Sequence, residues 1–152
     1  MTARMAPLTA ALSLFAATAY ADPNLGTWKL NESKSTFPAS QPKVLTTVFE
    51  QAADGVKVTV DGVDKDAKPF HNEWTGKYDG KDYPVVGSAQ ADTRSMKKID
   101  AHHFDIVNKK NGKPTIKVKY VIAKDGKSRT AIYSGTTADG KPVSGTFFYE
   151  KQ

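Results

Sequence analysis

NGKPTIKVKYVIAKDGKSRTAIYSGTTADGKPVSGTFFYEK, residues 111–151, decides the fold class. Asn111-Gly112, Asp125-Gly126 and Asp139-Gly140 recur here 14 residues apart. Asx-Gly pairs tolerate the positive φ angles of tight primed turns, so they mark hairpins. Between and after them run Thr115–Ala123, Ser128–Thr137 and Val143–Lys151, each with the length of a strand and its share of a turn. The strand sequences differ, so turn chemistry produces the echo and no repeat is duplicated.

The same punctuation extends upstream through Asp54-Gly55, Asp61-Gly62 and Asp79-Gly80. Val56, Val58 and Val60 alternate with Lys57, Thr59 and Asp61, the period of a half-buried strand. The reading ends that strand at an Asp61-Gly62 turn, with a polar loop to Pro69. Phe70, Asn72, Trp74, Gly76 and Tyr78 share one face of the next strand; His71, Glu73, Thr75 and Lys77 share the other. Thr93–Ile99 and His103–Asn108 form a hairpin about Asp100-Ala101. Gly26–Asn31 and Val44–Glu50 supply strands near the start. Asn31–Ser35 reads as a turn or brief helical segment. Pro38 and Pro42 mark a loop, either a plain connection or a lid over a cavity.

No amphipathic helix is legible. About eight to ten short strands joined by hairpins tend to curl and close, because closure removes exposed edges. The expected fold is all-β, an antiparallel up-and-down β-barrel spanning residues 22–152, with a two-sheet β-sandwich as the alternative.

Residues 1–21 read as a secretory signal peptide. Arg4 supplies the positive start, Leu8–Thr18 a short apolar run, and Ala19-Tyr20-Ala21 a cleavage site. The expected location is periplasmic or extracellular. The chain has no cysteine, which excludes thiol catalysis and a disulfide framework. No later apolar run approaches the roughly 20 residues of a membrane helix, so stable membrane insertion is not expected. The formal charge is +6, but the basic residues are mostly lysines scattered along the chain. Nucleic-acid binding wants clustered arginine with interleaved aromatics, and is not expected.

Gly26-Thr27-Trp28 resembles the Gly-x-Trp motif on the first strand of the lipocalin and fatty-acid-binding families, the calycins. The chain is also similar to small exported bacterial lipocalin-like proteins of unassigned role. Gly26–Asn31, Asp54–Val56 and Lys77–Pro84 carry that similarity. The resemblance implies a barrel whose Trp28 plugs the closed end, with a basic residue of the last strand, here Lys151, across its ring. Gly26, Trp28 and Lys151 would then be structural. It further implies a cavity for a small apolar ligand. The chain departs from typical lipocalins in lacking a cysteine pair, a C-terminal helix and a Thr-Asp-Tyr signature.

The chemical motifs are sparse. His102 and His103 are adjacent, and His71 pairs at best with Glu73, so no metal site or cofactor is expected. The acidic Asp61–Asp66 stretch lacks the glycine and terminal glutamate of a calcium loop. No nucleophile elbow or phosphate-binding loop occurs, and no catalytic residue is assigned. The aromatic inventory says more. Trp74, Tyr120, Tyr133 and Phe148 either fill a dry core or line a pocket. In a pocket, tyrosine hydroxyls with Arg94 or Arg129 would orient a ligand's polar group. If the face of Arg129, Ala131 and Tyr133 is interior, the arginine needs an anionic partner such as a ligand carboxylate; if exterior, it is an ordinary surface charge. The expected function is a non-catalytic, exported barrel for a small apolar or amphipathic ligand. A structural protein with a filled core is one alternative. An enzyme using the cavity, with His71, Glu73 and Arg129 as its test positions, is another.

Overall fold

A computed structural model describes residues 21–152. The expected signal peptide, residues 1–21, lies outside them except for Ala21. Ten strands follow: β1 (Gly26–Thr36), β2 (Lys43–Ala52), β3 (Gly55–Val63), β4 (Pro69–Gly76), β5 (Asp79–Val86), β6 (Thr93–Lys98), β7 (His103–Lys110), β8 (Lys113–Ile122), β9 (Ser128–Thr136) and β10 (Pro142–Lys151). Every pairing is antiparallel, and each strand pairs with its sequence neighbour. β1 pairs with β10 as well, closing an up-and-down barrel with no open edge. The sandwich alternative is therefore set aside.

The turns follow the expected chemistry at Asn111-Gly112, Asp125-Gly126 and Asp139-Gly140, but Gly55 already opens β3, Asp79-Gly80 already opens β5, and Asp61-Gly62 makes no turn. Asn111 and Gly112 have φ of 50° and 74° and form a two-residue connection between β7 and β8. Both angles lie where a primed hairpin turn needs them, which is why the pair is Asn-Gly. Asp61-Gly62 instead sits inside β3, paired with His71 and Phe70 of β4. The reversal comes later, where Asp64 N donates to Lys68 O and Ala67 N to Asp64 O. Gly62 is there for closeness: a Cβ would stand 2.3 Å from Lys43 O and 2.5 Å from Phe70 Cζ.

Asn31–Ser35 is a second correction, being a bulge within β1 and not a separate turn. Asn31 faces Phe148 and Thr36 faces Thr146, so β1 has five steps where β10 has two. The extra residues close on themselves: Asn31 Oδ1 accepts from Ser33 Oγ and Lys34 N, and Ser35 Oγ takes over the Phe148 amide.

Alternation sorts the faces. Val56, Val58 and Val60 are buried, as are Phe104 and Ile106 of β7 and Val118, Tyr120 and Ile122 of β8. Burying each such side chain contributes about 1.5–3 kcal/mol. Intervening residues such as Lys117 and Lys119 are exposed. The weakest seam is β4–β5, paired only at Glu73↔Val86 and Trp74↔Val85. Trp74 crosses it: its indole Nε1 donates to Arg94 O at 2.8 Å, tying β4 directly to β6.

Candidate functional site

The barrel has a plugged end and a hollow end. At the plugged end, Trp28 is fully buried and its Nε1 donates to Asn24 O at 2.8 Å. Lys151 Nζ lies 4.9 Å from the Trp28 ring centroid and donates to Pro23 O. The Lys151 stem runs over Gly26, where a Cβ would stand 3.2 Å from Cε. Gly26, Trp28 and Lys151 are thus brought together at one spot.

Arg129 lies beside them, on the interior face and 1% exposed. Its Cζ stands 3.9 Å from the Tyr120 ring, 4.6 Å from Trp28, 5.1 Å from Phe49 and 5.2 Å from Tyr149. The ring faces carry negative potential and supply what a carboxylate would otherwise supply. Nη1 donates to Asn24 Oδ1 at 3.0 Å and Nη2 to Thr47 Oγ1 at 2.6 Å. The guanidinium is therefore held by protein groups, and it does not line the cavity. With its rings it forms the floor, since Thr47, Phe49 and Tyr120 do line that space.

Above the floor is a cavity of about 280 Å³. Its walls are mostly apolar, from Phe49, Val58, Phe70, Met96, Ile106 and Val118 among others. Two loops reach its mouth. Gln41 and Pro42, from the β1–β2 connection, line it, and Gln41 Oε1 accepts from Ser144 N on β10. Gly87–Gln90, from the β5–β6 connection, lines it too, and Gln90 Oε1 accepts from Ala138 N. The Pro38–Pro42 stretch is thus both connection and part of a cover.

Among the residues expected at a ligand site, Tyr120 and Tyr133 line the cavity. Burial raises the Tyr133 hydroxyl well above the ordinary tyrosine range, so it stays protonated and can donate. Trp74 is buried beside the cavity, edge-on to Tyr83, but does not line it. Phe148 points away. Its neighbours Phe147 and Tyr149 take the inward positions, which leaves Phe148 outside beneath the Lys34 ammonium at 5.0 Å.

Three further polar groups meet at the cavity: Arg94, expected as one of two arginines that could orient a ligand's polar group, and Asn72 and Asn108, to which the sequence assigned no role. Arg94 is 8% exposed; its Nε donates to Asn108 Oδ1 at 2.7 Å and its Nη2 to Asn72 Oδ1 at 3.2 Å. All three line the cavity. Their signal was parity: Arg94 shares a strand face with Met96, Asn108 with Ile106, and Asn72 with Trp74.

His71 and Glu73 lie on the outer face, away from Arg129 and the cavity. His71 Nδ1 meets Asp61 Oδ1 at 2.6 Å, and Glu73 stands 3.7 Å from Nε2. Among the described residues no group of three or more His, Cys, Asp or Glu side chains is placed to hold a metal. The hydrogen bond to Asp61, with the nearby Asp61 and Glu73 charges, raises the His71 pKa. Its small stabilising contribution is therefore complete below the unfolded-state value and lost as pH rises through the folded one. In an NMR titration His71 is expected to show a midpoint above the ordinary value of about 6.5, with Asp61→Asn moving it down.

This architecture defines a class, a closed ten-strand antiparallel barrel with one internal cavity described. No protein-family model matches the chain, and no curated protein matches it either.

Proposed function

We propose that this is an exported, non-catalytic binding protein of lipocalin-like type that holds a small apolar or amphipathic molecule inside the barrel. The observation that carries the reading is the roughly 280 Å³ cavity between the Arg129 floor and the Gln41 and Gln90 loops. It lies near the lower end of ligand pockets, about 300 Å³ and upward, which points to a compact ligand. Apolar walls interrupted by a few polar groups are the ordinary make-up of such sites.

The outer face supports a protein working in water. Charged side chains such as Lys57, Lys117 and Lys119 point outward while valines and aromatics point in. A membrane-spanning barrel has the inverse arrangement. The secretory pattern of residues 1–21 favours export. Nucleic acid is not a partner on this reading, and no cofactor is required.

Native mass spectrometry with organic extraction tests the reading. A copurifying small molecule is expected at near-stoichiometric amount. An empty protein whose melting temperature no fatty acid or aromatic probe raises would remove it.

A further inference from the structure

Arg94 has no counter-ion among the described residues. Its side-chain hydrogen bonds go to two neutral amide oxygens, those of Asn72 and Asn108, and Nη1 has no hydrogen-bond partner among the described residues. The ionisable groups that face it are the phenols of Tyr120 and Tyr133, with no carboxylate among them. A buried cation without an anion is costly, and burial here lowers the arginine's pKa from its ordinary value. At the barrel floor Arg129 solves the same problem with four aromatic rings. Arg94 is given no aromatic cage of that kind; it faces open space.

Strand register gives that space a polarity. Arg94 is the second residue of β6, just after the Gly87–Asp92 loop at the mouth, and it pairs with Asn108 of β7. One inward step deeper on the same strands come Met96 and Ile106. Asn72 pairs with Val60, and Val58 follows below. A polar layer therefore lies just inside the mouth, with an apolar chamber beneath it.

We propose that the cavity takes a compact organic monoanion, a carboxylate on a body of one or two rings, with the carboxylate on Arg94 under the mouth and the rings in the chamber. The inference rests on the binding function proposed above and adds the ligand's charge, size and orientation. A single positive charge with flanking amides matches one negative charge, and a guanidinium fork matches a planar carboxylate. Size follows from volume. An apolar cavity of about 150 Å³ accommodates benzene, so about 280 Å³ has room for roughly two rings. The occupied Arg129 floor stops a long chain from running through.

The test is thermal unfolding and calorimetric titration of the purified protein with 2-naphthoate, neutral 2-naphthol, dodecanoate and inorganic phosphate. Naphthoate is expected to bind at least tenfold more tightly than naphthol, and more tightly than dodecanoate. Arg94→Gln should abolish the naphthoate advantage while naphthol still binds. Asn108→Asp, nearly isosteric, gives Arg94 an internal counter-ion and should do the same even if Arg94→Gln fails to fold. Undiminished naphthoate preference in a folded variant overturns the inference and leaves the binding function standing. Stabilisation by phosphate equal to that by naphthoate also overturns it, assigning Arg94 to an inorganic anion only. Binding by none of the four probes overturns this inference, and the function with it when the purified protein also carries no extractable molecule.

Discussion

Arg129→Ala is expected to cost about 3–5 kcal/mol of folding stability, read from denaturant unfolding. Three losses combine. The guanidinium leaves contact with four rings, three of which, Trp28, Phe49 and Tyr149, are at most 2% exposed. Asn24 Oδ1 and Thr47 Oγ1 lose their donor in a buried setting. A void opens at the point where the β1, β2, β8, β9 and β10 side chains converge. Arg129→Met separates these terms, because it keeps most of the volume and removes a buried charge. Replacing a buried ion by a well-packed apolar group is often close to neutral, so a loss within about 1.5 kcal/mol is expected. A cost below about 1 kcal/mol for Arg129→Ala would show that the cage does not close the barrel.

Trp74→Ala is expected to cost a similar amount, about 3–5 kcal/mol, through the cavity it leaves. Trp74 has a second duty that Trp74→Phe isolates. β4 and β5 pair at only two positions, and the indole bond to Arg94 O spans that gap to β6. Phenylalanine keeps an aromatic body but leaves Arg94 O without its donor, at about 1–3 kcal/mol. Amide exchange should then rise most along β5 and early β6, beside the Arg94 layer. Protection unchanged there would mean that the seam is held by other contacts.

These two residues show what the sequence made legible. The meander was readable because turn chemistry is local: Asn111-Gly112 needs positive φ at both positions, and no tertiary contact has to be known. Closure was supported by strand number and by Gly26-Thr27-Trp28. Asp61-Gly62 misled because glycine answers two different demands. Here it makes room for Lys43 O and Phe70 in mid-strand, a contact between three strands that no local pattern announces. The Asn31–Ser35 bulge was hidden for a related reason. A polar run looks the same whether it turns the chain or swells one strand against its partner.

The cavity was less legible than the fold. Alternation says which residues face inward but not which inward residues touch one another. Arg129 and Arg94 both lie on inward faces, and sequence parity treats them alike. What separates them is depth, since Arg129 near the start of β9 meets aromatic rings from β1, β2, β8 and β10, while Arg94 near the mouth meets two asparagines. Phe148 shows the complement, an aromatic placed outside because Phe147 and Tyr149 hold the inner positions.

The central claim, a ligand held inside the barrel between the Arg129 floor and the two mouth loops, is tested most directly by intermolecular nuclear Overhauser effects with bound 2-naphthoate. The inner methyls are those of Val58, Met96, Ile106 and Val118. The outer ones include Val86 and Ile132, at 70% and 44% exposure. Ring protons are predicted to show contacts to the inner set alone. Contacts to the outer set, or saturable binding with none to the inner set, would contradict the account.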